Sequence, residues 1–145
     1  MSSIRVTSLF EANDGVLWIG HENGAVIILT NGIFQPFPVT AEVRHNLFLA
    51  FKEALHNIVN HAAATEVNVA LRLEENKLIV TVVDNGGGFN ANNPRAALHA
   101  KPDHIEQGNG LKNMNRRLAE IGGACEVQSV PGQGTTVKFT MPLRA

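Results

Sequence analysis

A chain of 145 residues with 44% hydrophobic and 17% charged side chains has the make-up of one compact globular domain, with room for a small appendage, and not of a disordered segment. A formal charge of −1 gives no global electrostatic case for binding nucleic acid or a membrane surface. Cys125 is the only cysteine, which excludes an internal disulfide and fits a reducing compartment. The longest apolar runs, such as Ala25 to Leu29, are too short to span a bilayer. Met1 to Arg5 is not followed by the apolar core of a signal peptide. The expectation is a cytoplasmic chain, or a soluble piece of something larger.

Ser8 to Ala12, Val16 to Gly20, Ala25 to Leu29 and Ile33 to Phe37 read as four short strands. Asn13-Asp14-Gly15, Glu22-Asn23-Gly24 and Asn31-Gly32 are turn signals between them, so the segment predicts a four-stranded antiparallel meander. The wording Val6-Thr7-Ser8-Leu9-Phe10, then Asp14-Gly15-Val16-Leu17-Trp18-Ile19-Gly20, then Asn23-Gly24, resembles a single repeat of the two-component-regulator type of β-propeller over residues 4–37. A propeller blade relies on its neighbours for cover. A lone blade leaves Trp18, Ile19, Phe34 and Phe37 in need of burial, so the segment must dock on the rest of the chain, pair with another molecule or stay loose. A structural or oligomerising role, with possible homo-oligomers through residues 1–38, is expected of it rather than sensing. Pro36 and Pro38 punctuate the chain, and a boundary near Val39 divides it into residues 1–38 and 39–145.

Residues 41–61 predict a long helix, with Thr40 as N-cap and Glu42 in its first turn. Leu47, Phe51, Leu55, Ile58 and Ala62 form its apolar stripe. Glu53, Asn57 and His61, four apart, project from consecutive turns of another face. A carboxylate, an amide and an imidazole in line suit a hydrated divalent ion and phosphate oxygens, or else form a solvated polar face. Residues 66–73 alternate as a half-buried strand, Glu74 to Lys77 turn, and Leu78 to Val83 predict a central strand. That strand runs into Asp84-Asn85-Gly86-Gly87-Gly88-Phe89, where three glycines allow a sharp bend or close approach to a ligand. Residues 90–107 read as a long surface loop.

Gly108-Asn109-Gly110-Leu111 opens a second helix with the stripe Leu111, Met114, Leu118 and Ile121, ended by Gly122-Gly123. Its N-terminus offers free N–H groups to phosphate. Cys125 to Val130 and Thr135 to Met141 are strands joined by the turn Pro131-Gly132-Gln133-Gly134. The fold class is α+β, a two-layer sandwich with helices on one face of a mixed, mostly antiparallel sheet, plus the N-terminal β-meander.

Four motifs stand in order: Glu53-x-x-x-Asn57-x-x-x-His61, Asp84-Asn85-Gly86-x-Gly88-Phe89, Gly108-x-Gly110-Leu111 and Gly132-x-Gly134-Thr135. Together they resemble the N box and three glycine boxes of the Bergerat-type ATP-binding fold shared by sensor histidine kinases, Hsp90, type II topoisomerases and mismatch-repair ATPases. Arg44-His45-Asn46-Leu47, Lys52-Glu53-Ala54-Leu55, Asn113-Met114-x-x-Arg117-Leu118 and Pro131 to Thr135 are most similar to histidine kinases that signal to helix-turn-helix response regulators. The resemblance covers residues 40–143.

It implies ATP and Mg2+ as cofactors. Asp84 would accept from the adenine amine, Asn57 would hold the metal, and Glu53 would be the catalytic base or polariser. Gly86 and Gly88 would pass close to base and ribose. Gly108, Gly110 and Leu111 would seat the phosphates and hinge the lid, His61 would lie at the phosphates, and Thr135 or Thr136 would close the adenine pocket. Two departures stand out. Asn60 occupies the place where the family often has Lys, leaving His61, Arg95, Lys101 or Lys112 to supply charge. No stretch resembles the dimerising hairpin that carries the phosphoacceptor histidine; His45, His61, His99 and His104 lack that helical context. The implied partners are therefore a histidine-containing dimerisation domain and, through it, a response regulator. A stand-alone anti-sigma-type serine kinase and a non-catalytic oligomerising module with a vestigial pocket are the alternatives.

Overall fold

The computed structural model describes residues 5–12, 15–37, 39–90 and 110–143. The N-terminal part is an antiparallel sheet of β1 (Val6–Glu11), β2 (Leu17–His21), β3 (Val26–Thr30) and β4 (Ile33–Phe37), in sequential order. This is the expected meander. Thr30 pairs with Ile33 around the two-residue turn Asn31-Gly32, and both turn residues take positive φ (52° and 76°). That turn geometry matches the twist of the strands it joins.

The segment docks on the rest of the chain. Trp18, Phe10, Ile28 and Gln35 share one face by register. Phe37 is buried within the main core, and Trp18, Val26 and Ile28 pack against it together with Val39, Val43 and Leu47. Trp18 meets Phe37 edge-on at 4.7 Å between ring centroids, a preferred aromatic geometry. Phe34 stays exposed.

The second part carries α1 (Ala41–Asn57), which continues as a π-helical turn (Ile58–Ala62). Strands β5 (Val67–Glu74) and β6 (Lys77–Asp84) precede α2 (Gly110–Glu120), and β7 (Ala124–Val130) and β8 (Gly134–Pro142) close the chain. The sheet order is β5-β6-β8-β7. All its pairings are antiparallel, in keeping with the mostly antiparallel sheet expected, and no parallel pair occurs among the described strands.

Both helices cover one face of this sheet. Leu71, Val80, Phe139 and Cys125 align across the four strands, and Val69, Val82, Val137 and Val127 form the next row. Alternation puts both rows on the helix side. Ala50 and Ala54 of α1 and Met114 and Leu118 of α2 close over them.

The expected stripe of α1 is only half-buried at Leu47, Phe51, Leu55 and Ile58; its fully buried line is Asn46, Ala50 and Ala54. Small side chains at i and i+4 let the helix approach its neighbours closely. Thr40 caps α1 as expected, accepting the Val43 N–H at 3.2 Å.

The regular α-helix ends at Asn57, four residues short of the expected His61. Asn60 donates its side-chain Nδ2 to the His56 carbonyl at 2.9 Å, the acceptor that its own N–H takes in an α-helix. The wider π turn then ends at Ala63, which sits in the left-handed region.

Candidate functional site

Beyond the two apolar rows, the helix-facing side of the sheet turns polar. Register places Val67, Asp84, Thr135 and Ser129 in one line, in step with the core positions before them. Asp84 therefore points inward at the end of β6 and is only 4% exposed. Gly86 N–H donates to Asp84 Oδ1 at 2.8 Å. Among the described residues this is the only hydrogen bond of that carboxylate, so Oδ2 is left as an acceptor.

The glycines around Asp84 are required by close backbone approach. A Cβ on Gly86 would strike the Ala62 carbonyl oxygen, and Gly87 N–H donates to that same oxygen at 2.7 Å. The end of the α1–π segment is thereby tied to the strand exit. On the opposite side, Gly88 (φ +58°) faces the Val130 and Gly134 carbonyls, and Gly134 (φ +84°) faces the Asp84 carbonyl. Gly132 N–H donates to Gly87 O at 2.6 Å. The first and third glycine motifs thus form one interlocked backbone wall.

Ser129, not singled out from the sequence, completes this wall, and Asn85 of the first glycine motif ties the strand exit to Thr65 and Glu66. Ser129 Oγ accepts from Phe89 N–H at 2.9 Å, bonds Gly134 O at 3.1 Å and lies 2.8 Å from Thr135 Oγ1. Asn85 Oδ1 accepts from Thr65 and Glu66 N–H at 2.9 and 3.0 Å, and its Nδ2 donates to Thr65 Oγ1. Ser129 was findable: it has the same alternation as Cys125 and Val127, so a hydroxyl there faces inward.

The N-terminus of α2 meets α1. A Cβ on Gly110 would strike Glu53 Oε1 and would stand 3.6 Å from Asn57 Nδ2. Glu53 and Asn57, expected on one face with His61, are brought together with Gly110. Leu111 is half-buried and packs against the core. His61 lies exposed on the π turn, out of the α-helical line with Asn57. Asn60 is held by its own helix, 3.1 Å from His56 Nδ1 as well as on the His56 carbonyl. Of the cations named as substitutes, Lys112 is exposed on α2, while Arg95 and Lys101 lie outside the described residues. So do Gly108, His99, His104 and residues 91–107 of the expected loop. Thr136 points to the other side of β8 from Thr135.

No group of three or more His, Cys, Asp or Glu among the described residues stands ready to hold a metal ion. No helix among them is long and apolar enough to cross a membrane.

Residues 42–145 match the family model of the histidine kinase-, DNA gyrase B-, and HSP90-like ATPase. The sensor histidine kinase LiaS of Bacillus subtilis is 34% identical over 109 residues, 75% of this chain and 28% of that protein. The sensor protein VraS of Staphylococcus epidermidis is 35% identical over the same length and shares. The chain thus spans little more than a quarter of these curated relatives. Among solved structures, the histidine kinase domain of a blue-light activated kinase from Erythrobacter litoralis superposes with a TM-score of 0.55. That likeness covers 72% of this chain and 46% of the other at 24% identity, and bears on the fold alone. With its family model matched over most of its length, the chain belongs to the histidine kinase-, DNA gyrase B-, and HSP90-like ATPase family.

Proposed function

We propose that the chain binds Mg-ATP and serves as the phosphoryl-donor part of a sensor histidine kinase in two-component signalling. The observation that carries this reading is Asp84: a buried carboxylate, walled by glycines, with one oxygen left to accept a hydrogen bond. An acceptor-only group of this kind selects an exocyclic amine, as in adenine, and disfavours a carbonyl at the same edge. Thr135 and Ser129 extend the polar row beside it. Gly86 and Gly88 let the strand exit pack on the backbone of Ala62, Val130 and Gly134, where no side chain fits, and are assigned the wall that passes close to base and ribose.

The phosphates belong at the other end, where Gly110 opens α2 and its free N–H groups favour anions. Leu111 follows as the first apolar anchor of that helix, and Gly108 is assigned to the hinge before it. Asn57 offers a hard oxygen beside the Glu53 carboxylate, a donor set that fits Mg2+. Asn57, with Glu53 beside it, would hold the ion, which would supply charge neutralisation at the phosphates. Glu53 is assigned the role of base or polariser of the attacking group, and His61 that of a phosphate contact.

The acceptor histidine comes from a dimerising hairpin on another segment or chain, which passes the phosphoryl group to a response regulator. The chain acts in the cytoplasm, within a membrane-anchored parent. Residues 1–38 are read as a single β-propeller-like repeat with a structural or oligomerising role, and 39–145 as the ATP-binding domain. Titration with Mg-ATP tests the core of this reading. At one hundred times Kd the ligand should stabilise the fold by about 2.7 kcal/mol. Asp84→Asn should abolish the shift; a chain whose melting is indifferent to Mg-ATP sinks the proposal.

A further inference from the structure

The N-terminal sheet has two apolar faces, and the main core uses one of them. Trp18, Val26 and Ile28 pack on that core. Leu17, Ile19, Ile27 and Leu29 alternate with them and point the other way. On this outer face Ile19 and Ile27 stand in one row, ended by the exposed Leu9. Leu17 and Leu29 stand in the next, ended by Phe34, which is 65% exposed. Among the described residues, none of these side chains packs against the core cluster. Glu11, at the far end of the second row, is the only charge in the two rows. The edges of the same sheet are unsuited to adding a strand: β1 has an irregular register between Val6 and Ser8, and β4 contains Pro36, which lacks an N–H. Association is thereby directed to the face.

We infer that two copies of this chain pack face to face through this outer surface. The inference rests on the oligomerising reading of residues 1–38 and deepens it, by naming the surface and its occupant. The stretches of sequence outside the described residues hold, as large apolar side chains, only Met1, Ile4, Leu98 and Ile105, too few for such a face. The face carries no charge pattern that selects a different partner, and a nearly uncharged surface suits its own copy about a two-fold axis. With the strands of the two sheets aligned, as stacked sheets prefer, Glu11 at its corner does not meet its counterpart. Four strands about 4.8 Å apart, each five residues of about 3.4 Å, make a face of about 300 Å2 in plan. Two such faces, with side chains standing up from them, bury on the order of 1,000 Å2 of accessible surface, the lower limit for specific association. The dimer is accordingly a micromolar one.

The test is sedimentation of the complete chain, without nucleotide, across the micromolar range. It should show a monomer in equilibrium with a dimer. The dimer Kd should rise about tenfold in Phe34→Lys and about a hundredfold in Ile27→Lys, at the centre of the face. Phe34 is exposed, so its replacement leaves the fold intact even where Ile27→Lys does not; circular dichroism checks this. Gln128→Lys, which adds the same charge at an exposed position of β7, should leave Kd near the original. A dimer that persists unchanged in Phe34→Lys overturns the inference and leaves the oligomerising reading standing, because another surface then pairs the chains. A parent chain that stays monomeric overturns both. Equal loss of the dimer in Gln128→Lys also overturns the inference, since added charge alone then disperses it.

Discussion

Gly110 lies against Glu53 so closely that any side chain at the first position of α2 must displace the Glu53 carboxylate. The obstacle is the far end of a flexible side chain, so Gly110→Ala should change stability by less than about 1 kcal/mol. Its effect on function should be larger. Moving Glu53 by an ångström should slow labelled phosphoryl transfer to a histidine-bearing hairpin about a hundredfold. Urea melts and transfer rates on the same samples check the contrast. Equal transfer by variant and parent would remove Glu53 from the reaction.

Gly132 and Gly134 both take positive φ (78° and 84°), yet they face different surroundings. A Cβ on Gly132 meets nothing within 4 Å, whereas one on Gly134 meets the Asp84 carbonyl. Gly132→Ala should therefore cost about 1–2 kcal/mol, the backbone term alone. Gly134→Ala should cost about 3 kcal/mol or more and abolish the Mg-ATP shift, because the obstacle is backbone that holds Asp84. Thermal melts with and without nucleotide separate the two.

Much of this arrangement is legible in the sequence through alternation. Leu78, Val80, Val82 and Asp84 share one parity, so an inward carboxylate follows from the strand pattern alone. The meander was legible because its Asn-Gly turns dictate backbone handedness. What the sequence hid is the competition inside α1. Leu55, Ile58 and Ala62 keep helical spacing through the stretch where the Asn60 amide takes the His56 carbonyl and the helix widens. The buried line of Asn46, Ala50 and Ala54 was equally hidden, since close approach of helices selects small residues that carry no hydropathy signal.

Burial pushes the Cys125 thiol up from 9.0 to about 11, with the neighbouring Glu126 carboxylate adding to the effect. The folded chain then keeps a proton that the unfolded chain loses above pH 9. This contribution is fully present below pH 9 and is lost as pH rises through 11. Stability should fall across that window by at most about 1.4 kcal/mol per pH unit. Urea melts at both ends of the window check this, and Cys125→Ala should remove the added slope. Thiol reagents near neutral pH should label the folded chain slowly.

Phe37 is the last residue of β4 yet belongs to the same buried cluster as Ala50, Leu78 and Met114. Phe37→Ala should cost about 3–5 kcal/mol for the whole chain. A melt in which the variant and parent unfold at the same urea concentration would mean that the N-terminal sheet contributes nothing to the common core.

The edge-on contact of Trp18 with Phe37 has an optical consequence. Trp18 is the only tryptophan and the chain contains no tyrosine. Intrinsic fluorescence therefore originates at the seam between the N-terminal sheet and the main core. A red shift of that emission ahead of the loss of helical circular dichroism would register the sheet lifting off before the sandwich opens. The molecule carries its own reporter for the one joint that a label elsewhere would miss.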